Sequence, residues 1–418
     1  MNLKIAIISD LHCKCKDDKF RTTYLHSDML PKPISHHPIE SIKKKIKEEK
    51  ISCDYLLCLG DISDKIDQQG IVSGWGYIKE VAAVLNISED KIISVIGNHD
   101  IDSRKLHPYP SFNHIITSLD NIPISDEILC EQFWSKKYII KEYSDLIVLA
   151  YNSVFNHSDE EKAKNTIIEA STLERISEEL KEYIDNEKPK IAISHHHPIQ
   201  ISNLDFITYK EGDLIVNGDK FLELLSKNNF SLFIHGHKHI PNLEYRNNLP
   251  IFGSGSFSSL ENLKYLSLNN TFHILEIFCE KERKSPGHIQ TFEFFFGRGW
   301  RKNTDDEGFF PTDTGFGYTE DILTLSHKII DWVKIQNKSL LKFENLIDEF
   351  EEIKFLIPDQ QDSLQEYLLK LGNIRISPSL RASPIEIVNN NPIISENNNP
   401  TISVNNNSSV IVKNNNDE

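Results

Sequence analysis

Five short stretches of this chain gather side chains that can bind cations and move protons: Asp10-Leu11-His12, Gly60-Asp61-Ile62-Ser63-Asp64, Gly97-Asn98-His99-Asp100, His195-His196-His197-Pro198 and His235-Gly236-His237-Lys238-His239. Each follows an apolar run, and a folded core could not accept such groups unpaired. Asn98 offers a neutral oxygen ligand and His99 a ring that exchanges a proton near neutral pH. Asp100 is a carboxylate able to hold that ring in one tautomer. Singly, each stretch also fits a plainer reading: a turn carboxylate beside a surface histidine, a Gly-Asn turn, or clustered loop histidines. Taken together, Asp10, His12, Asp61, Asn98, one histidine of 195 to 197, His237 and His239 form a nitrogen and oxygen donor set. It exceeds what one tetrahedral zinc needs and suffices for two divalent ions. Asp61 is best placed to be shared between ions ~3.5–4 Å apart.

These groups need elements that end at a common edge. Ile5-Ala6-Ile7-Ile8, Tyr55-Leu56-Leu57-Cys58-Leu59 and Ile92-Ile93-Ser94-Val95-Ile96 read as buried strands, separated by helices predicted near Pro38 to Lys50 and Ile78 to Leu85. A polar residue ends every strand, which is the pattern of an α/β sheet with its site at the carboxyl edge. On an extended chain, Asp10 and His12, and likewise His237 and His239, would point the same way. Further strands are predicted at 145 to 151, 190 to 194 and 230 to 234, with helices at about 171 to 185 and 218 to 228. Segments 250 to 256, 272 to 279 and 288 to 296 then read as strands closing a second sheet. From Asp321 to about Gly372 apolar residues recur at helical spacing. Residues 380 to 418 are rich in Asn with Pro, Ser and isolated Ile-Val pairs, a composition that predicts disorder with some aggregation tendency.

The formal charge of −16 argues against a generally basic nucleic-acid coat, although a local cationic metal site still attracts phosphate. Six cysteines with no CxxC pair read as reduced thiols of a cytoplasmic protein. Met1 leads almost directly into the first strand, leaving no room for a signal peptide. No apolar run approaches the ~20 residues of a membrane span.

In order, Asp-x-His, Gly-Asp-x-x-Asp, Gly-Asn-His-Asp, a strand-ending His-x-Pro and Gly-His-x-His resemble the calcineurin-like metallophosphoesterase superfamily across about residues 5 to 240, with later strands extending the match to ~300. The resemblance implies a four-layer αββα sandwich over 1–300. A linker and helical appendage would follow over 301–375, and an Asn-rich tail over 376–418. It implies Asp10, His12 and His239 on one metal, Asn98, His196 and His237 on the other, and Asp61 between them. His196 is preferred because the family motif has one residue between ligand and proline, with His195 as the fallback. His99 would contact the scissile phosphate and protonate the leaving oxygen, oriented by Asp100, while a hydroxide bridging the metals attacks phosphorus. Without a thiolate, the donor set suits Mn²⁺, Fe or Zn²⁺. A phosphodiesterase acting on a nucleotide or nucleic-acid ester is the leading expectation. The alternatives are a DNA nuclease, for which Lys14 to Arg21 with Arg298, Trp300, Arg301 and Lys302 is a thin candidate surface, and a silent metal-bound scaffold recruiting a protein partner through the C-terminal helices.

Overall fold

A computed structural model describes residues 2–15, 22–27, 33–119, 121–159, 165–200, 214–260, 268–279, 284–302, 309–382 and 384–391. Strands β1 (Asn2–Ile8), β2 (Tyr55–Cys58) and β3 (Ile92–Ser94) pair in parallel, linked through helices α1 (Pro38–Glu49) and α2 (Gln68–Val84). Short helices α3 (Asn113–Ser118) and α4 (Glu127–Lys136) lead into the second sheet. That sheet contains β4 (Tyr138–Glu142), β5 (Ile147–Tyr151), β6 (Lys190–Ser194), β7 (Leu232–His235), β8 (Asn242–Arg246) and β9 (Leu249–Gly253) in the order β4-β5-β6-β7-β9-β8. Helices α5 (Ala170–Leu180) and α6 (Gly218–Lys227) are its crossovers. The chain then returns to the first sheet. Strands β10 (Asn270–Phe278) and β11 (Gly287–Phe295) continue it antiparallel from β1, with β12 (Gly299–Arg301) and β13 (Asp313–Phe316) pairing on β11. Of the three segments expected to close the second sheet, β9 joins it, whereas β10 and β11 extend the first. Their apolar runs make them strands, but composition does not select the partner.

Strand alternation builds the layers. Val148, Ala150, Ile191, Ile193, Leu232 and Ile234 face the first sheet in one shared core, whereas Leu149, Tyr151, Ala192 and Phe233 turn outward onto Ile176, Leu180, Phe221 and Leu225 of α5 and α6. The result is the expected αββα sandwich. Helix α2 begins ten residues before its predicted start, N-capped by Asp67, whose carboxylate accepts from Gly70 N–H at 2.7 Å. Glycines hid this start, since they are poor helix formers. They are there for packing: a Cβ on Gly70 would lie 2.1 Å from the Cys13 carbonyl oxygen.

A second core follows. Helices α7 (Ile322–Gln336), α8 (Phe343–Glu349) and α9 (Pro358–Gly372) pack with strands β14 (Leu340–Lys342), β15 (Ile374–Ser377) and β16 (Glu386–Asn389), ordered β14-β16-β15. The succession helix, strand, helix, helix, strand, strand has the layout of a winged helix. Leu325, Ile329, Leu346, Leu364, Leu368, Ile376 and Ile387 are buried in it, so the expected boundary at 376 falls inside this unit. The predicted helices are present, but their short strands carried no readable alternation. The outward positions of α9 include Asp359, Asp362, Glu366 and Lys370, an acidic balance. The unit meets the sandwich where Gly315 and Tyr318 N–H groups donate to Leu356 and Phe355 carbonyls, each at 3.3 Å. The Asn-rich tail from 392, whose disorder was expected, lies outside the described residues, as do Lys16, Lys19 and Arg21.

Truncating a fully buried leucine leaves a cavity that typically costs ~2–5 kcal/mol. Leu368→Ala is therefore expected to make the C-terminal unit melt earlier in calorimetry while the sandwich keeps its transition. A single undivided transition that shifts as a whole would show that the two cores unfold together.

Candidate metal centre

All five motifs meet at the carboxyl edges of the parallel strands. Loop backbones interlock there: Asp10 N–H donates to the Gly60 carbonyl at 3.0 Å, His12 N–H to that of Asp61 at 2.9 Å, and Gly236 N–H to that of His195 at 3.1 Å. Asp10, His12, Asp61, His237 and His239 all lie beyond their strands with left-handed φ of 53°, 50°, 49°, 73° and 59°. The expected extended alternation is thus replaced by tight turns that aim each side chain inward, a conformation that non-glycine residues adopt at a cost. Gly97 permits the closest approach, since a Cβ there would sit 2.0 Å from Asp61 Oδ1.

Two donor groups result. In one, His12 Nε2 and His239 Nε2 lie 3.0 Å apart, with Asp10 Oδ1 3.3 Å from His239 Nε2. In the other, His195 Nε2 lies 3.1 Å from Asn98 Oδ1 and 3.2 Å from His237 Nδ1. Asp61 Oδ2 sits between them, 3.6 Å from His12 Nε2 and 3.4 Å from His195 Nε2. Its other oxygen accepts the His99 backbone N–H at 2.8 Å.

The donor chemistry fits cations. His195 Nδ1 faces the Leu59 carbonyl at 2.8 Å, so it carries the proton and leaves Nε2 as a lone pair. That lone pair points at two oxygens that also have only lone pairs to offer. A cation resolves the conflict; without one, a proton must. Accordingly, although burial opposes it, the Asp61 carboxylate raises the His195 pKa to about 9, and Asp61 in turn is held well below its usual range despite its own burial. Asp10, also buried, is lowered by His239.

The histidine expected as ligand takes a different position. His196 Nδ1 lies 2.9 Å from Ser153 Oγ, and its ring packs 5.2 Å from that of His157. Burial and the neighbouring imidazoles hold it well below the usual histidine range. A ring nitrogen of His196 remains within 4.8 Å of those of His195 and His237, but it is His195 that faces Asn98 and Asp61. The final β6 residue is Ser194, so the first histidine past the strand is the one that reaches the edge.

The expectation that Asp100 orients His99 is corrected. Asp100 is fully buried and accepts from Ser63 N–H at 2.7 Å and Gly97 N–H at 2.9 Å, tying two loops together. Burial and the Asp61 charge push its pKa up to about 7. The carboxylate at the His99 ring is Asp64, with Oδ1 3.2 Å from Nδ1. Asp64 also lies 3.8 Å from His12 Nδ1 and 3.7 Å from Lys14 Nζ. Burial alone would raise its pKa, but the two imidazoles take it well below the carboxylate range. In sequence, Asp64 closes the Gly60-Asp61-Ile62-Ser63-Asp64 stretch, a place that fits a turn carboxylate as well as a chemical one. Lys14 was read as a loop cation, yet it is buried; nothing in its neighbours signalled this. His99 is the more open group, with 21% of its side chain exposed.

A family model described as calcineurin-like phosphoesterase matches residues 3–241. Among solved structures, a dimetal phosphatase from Danio rerio is similar at 13% identity over 70% of this chain and 96% of its own, with a TM-score of 0.45. A purple acid phosphatase from yellow lupin seeds aligns at 13% identity over 70% of this chain and 52% of its own, with a TM-score of 0.44. A putative 5′-nucleotidase from Staphylococcus aureus aligns at 14% identity over 80% of this chain and 59% of its own, with a TM-score of 0.42. No curated protein matches the chain. Among the described residues, no helix is long and apolar enough to cross a membrane, and all six cysteines are free thiols.

An imidazole must shed its proton to bind a cation. Titrating Mn²⁺ into metal-free protein at pH 7 is expected to release a proton, seen calorimetrically as a dependence of heat on buffer ionisation enthalpy, and to bind more weakly as pH falls. The dependence should flatten above pH about 9, where His195 is already neutral. Binding without proton release would exclude His195 from the donor set.

Proposed function

The chain belongs to the calcineurin-like phosphoesterase family, whose members hydrolyse phosphoesters with bound metal, and we propose that this member is a two-metal phosphodiesterase. The observation that carries the reading is Asp61 Oδ2 lying between two nitrogen-rich donor groups. Asp10, His12 and His239 would hold one divalent cation and Asn98, His195 and His237 the other, with Asp61 shared. This assignment replaces His196 by His195. Donors without thiolate suit Mn²⁺, Fe or Zn²⁺. Such a pair, when bound, supplies Lewis acidity that lowers the pKa of water and polarises a phosphoryl oxygen.

The protein's own groups supply the rest. Asp64 holds Nδ1 of His99, which leaves the ring's other nitrogen to give a proton to the departing oxygen. Asp100 and the Asp61 Oδ1 contact fix the backbone on which His99 rides. Lys14, buried 3.7 Å from Asp64 Oδ2, offsets the charge of that carboxylate. Preference for a diester rests on charge: a monoanionic diester meets less long-range repulsion from a chain of formal charge −16 than a dianionic monoester does. A nuclease would need a cationic track for successive phosphates. The outward face of α9 is acidic, and Lys14 is buried rather than presented.

Asp61→Ala is expected to lose both metals and activity, and His195→Ala to lose far more metal than His196→Ala, measured by elemental analysis of purified protein. Equal losses at 195 and 196 would return the ligand assignment to the pair. His99→Ala should keep its metals and lose about 10²–10³-fold in kcat, the scale of removing one electrostatic donor; an unchanged kcat would remove it from the chemistry. With Mn²⁺, the protein should turn over bis-p-nitrophenyl phosphate faster than p-nitrophenyl phosphate. The opposite order would overturn the diesterase assignment, and no turnover of either would overturn the hydrolase reading.

A further inference from the structure

His157 stands outside all five motifs, yet it is 1% exposed and its ring lies against the strand-end histidines, 5.2 Å from that of His196. A buried imidazole is costly unless its nitrogens are paired. Those of His157 meet two hydroxyls: Nε2 lies 3.0 Å from Thr166 Oγ1, and Nδ1 lies 3.5 Å from Ser103 Oγ. Ser103 Oγ in turn donates to the Asn98 carbonyl at 2.7 Å.

A single arrangement of protons satisfies this chain. A serine hydroxyl has one proton, and here the Asn98 carbonyl takes it, so the Ser103 oxygen turns lone pairs towards His157. Nδ1 must then carry the imidazole proton, which leaves Nε2 to accept from Thr166. Burial and then the neighbouring His195 hold the His157 pKa down to about 4, although Asp61 pulls the other way, so the ring is neutral at pH 7 with one N–H to give.

The peptide between Asn98 and His99 is thereby held at both ends. Its carbonyl accepts from Ser103, and its N–H, that of His99, donates to Asp61 Oδ1 at 2.8 Å. This one peptide plane joins a proposed metal ligand to the proposed proton donor. His157 is anchored independently of it: its own N–H donates to the Val154 carbonyl at 3.0 Å, and the Thr166 carbonyl accepts from Val216 N–H at 2.8 Å. Val154 follows β5 and Val216 precedes α6, whereas Asn98 and Ser103 follow β3. The imidazole therefore braces a loop of the first sheet against loops of the second. An apolar side chain could fill the same space, but it would leave both hydroxyls without this partner.

We infer that His157 is a positioning residue for the second cation: through Ser103 it fixes the Asn98 backbone, and with it the direction in which the Asn98 amide oxygen meets His195 and His237. This rests on the two-metal reading of the site.

The test counts Mn²⁺ bound to the metal-free full chain by equilibrium dialysis with elemental analysis, and reads the electron paramagnetic resonance spectrum of the bound ions. Wild type is expected to take up two ions and to show a magnetically coupled pair at saturation. His157→Phe and Ser103→Ala should each weaken one of the two dissociation constants by about 10–100-fold, the scale of losing a group that orients a metal ligand, and leave the other unchanged. At intermediate Mn²⁺ these variants should show a single uncoupled ion. His157→Gln keeps a donor and an acceptor and should recover most of the loss. The combined His157→Phe and Ser103→Ala variant should bind no more weakly than either alone, because both cut the same chain. Ser103→Ala removes one hydroxyl only, so it carries the test if His157→Phe does not fold. Both constants weakened alike, or a lower melting temperature with both constants intact, would make His157 a packing residue and overturn the inference. A wild type that binds one ion would overturn the two-metal reading and this role with it. Two ions in wild type and in every variant, with equal constants, would overturn the role of His157 alone.

Discussion

The site depends on one buried carboxylate. Asp61 is 1% exposed and would be costly to ionise there alone, yet one of its oxygens faces imidazole nitrogens of both donor groups and the other receives a backbone N–H. The surrounding loops are arranged so that this charge is compensated from every side. His195 answers it directly, and Asp100, whose own ionisation Asp61 discourages, serves by bonding the neighbouring loop backbones. Removing the Asp61 charge would leave nitrogen lone pairs facing one another with no shared counter-group.

Backbone strain follows from the same constraint. Five of the proposed metal-binding positions carry left-handed φ values, each unfavourable by the order of 1–3 kcal/mol for a non-glycine residue. Interloop hydrogen bonds between Asp10 and Gly60, His12 and Asp61, and Gly236 and His195 hold these turns in place, and the two packed sheets beneath them do not yield. Strain of this kind keeps the donors gathered before a cation arrives, so little reorganisation is needed on binding.

Around that centre the molecule divides its electrostatics. Overall charge is strongly negative, while the strand tips concentrate histidines and enclose Lys14. Asp64 links these regimes, touching a proposed ligand, a proposed acid and a buried lysine with one carboxylate. The winged-helix-like unit has its own core and an acidic outer helix face, so it adds packing and surface rather than donors to the centre.

Apolar runs ending in ligating residues determined an α/β sheet with its site at the carboxyl edge and the set of donor types, while the four-layer sandwich came only from the family resemblance that the order of motifs carries. Local rules also located most helices and strands. What they could not decide was partnership. Strands β10 and β11 joined the first sheet rather than the second, since equally apolar strands compete and only the assembled layers choose. Among three adjacent histidines, the end of β6 at Ser194 selected which ring meets Asn98 and Asp61. Asp64 rather than Asp100 reached His99, although Asp100 is adjacent in sequence, because folding the loops buried Asp100 against backbone donors. Side-chain chemistry is written residue by residue, but which lone pair faces which nitrogen is fixed only when separate loops close over a common edge.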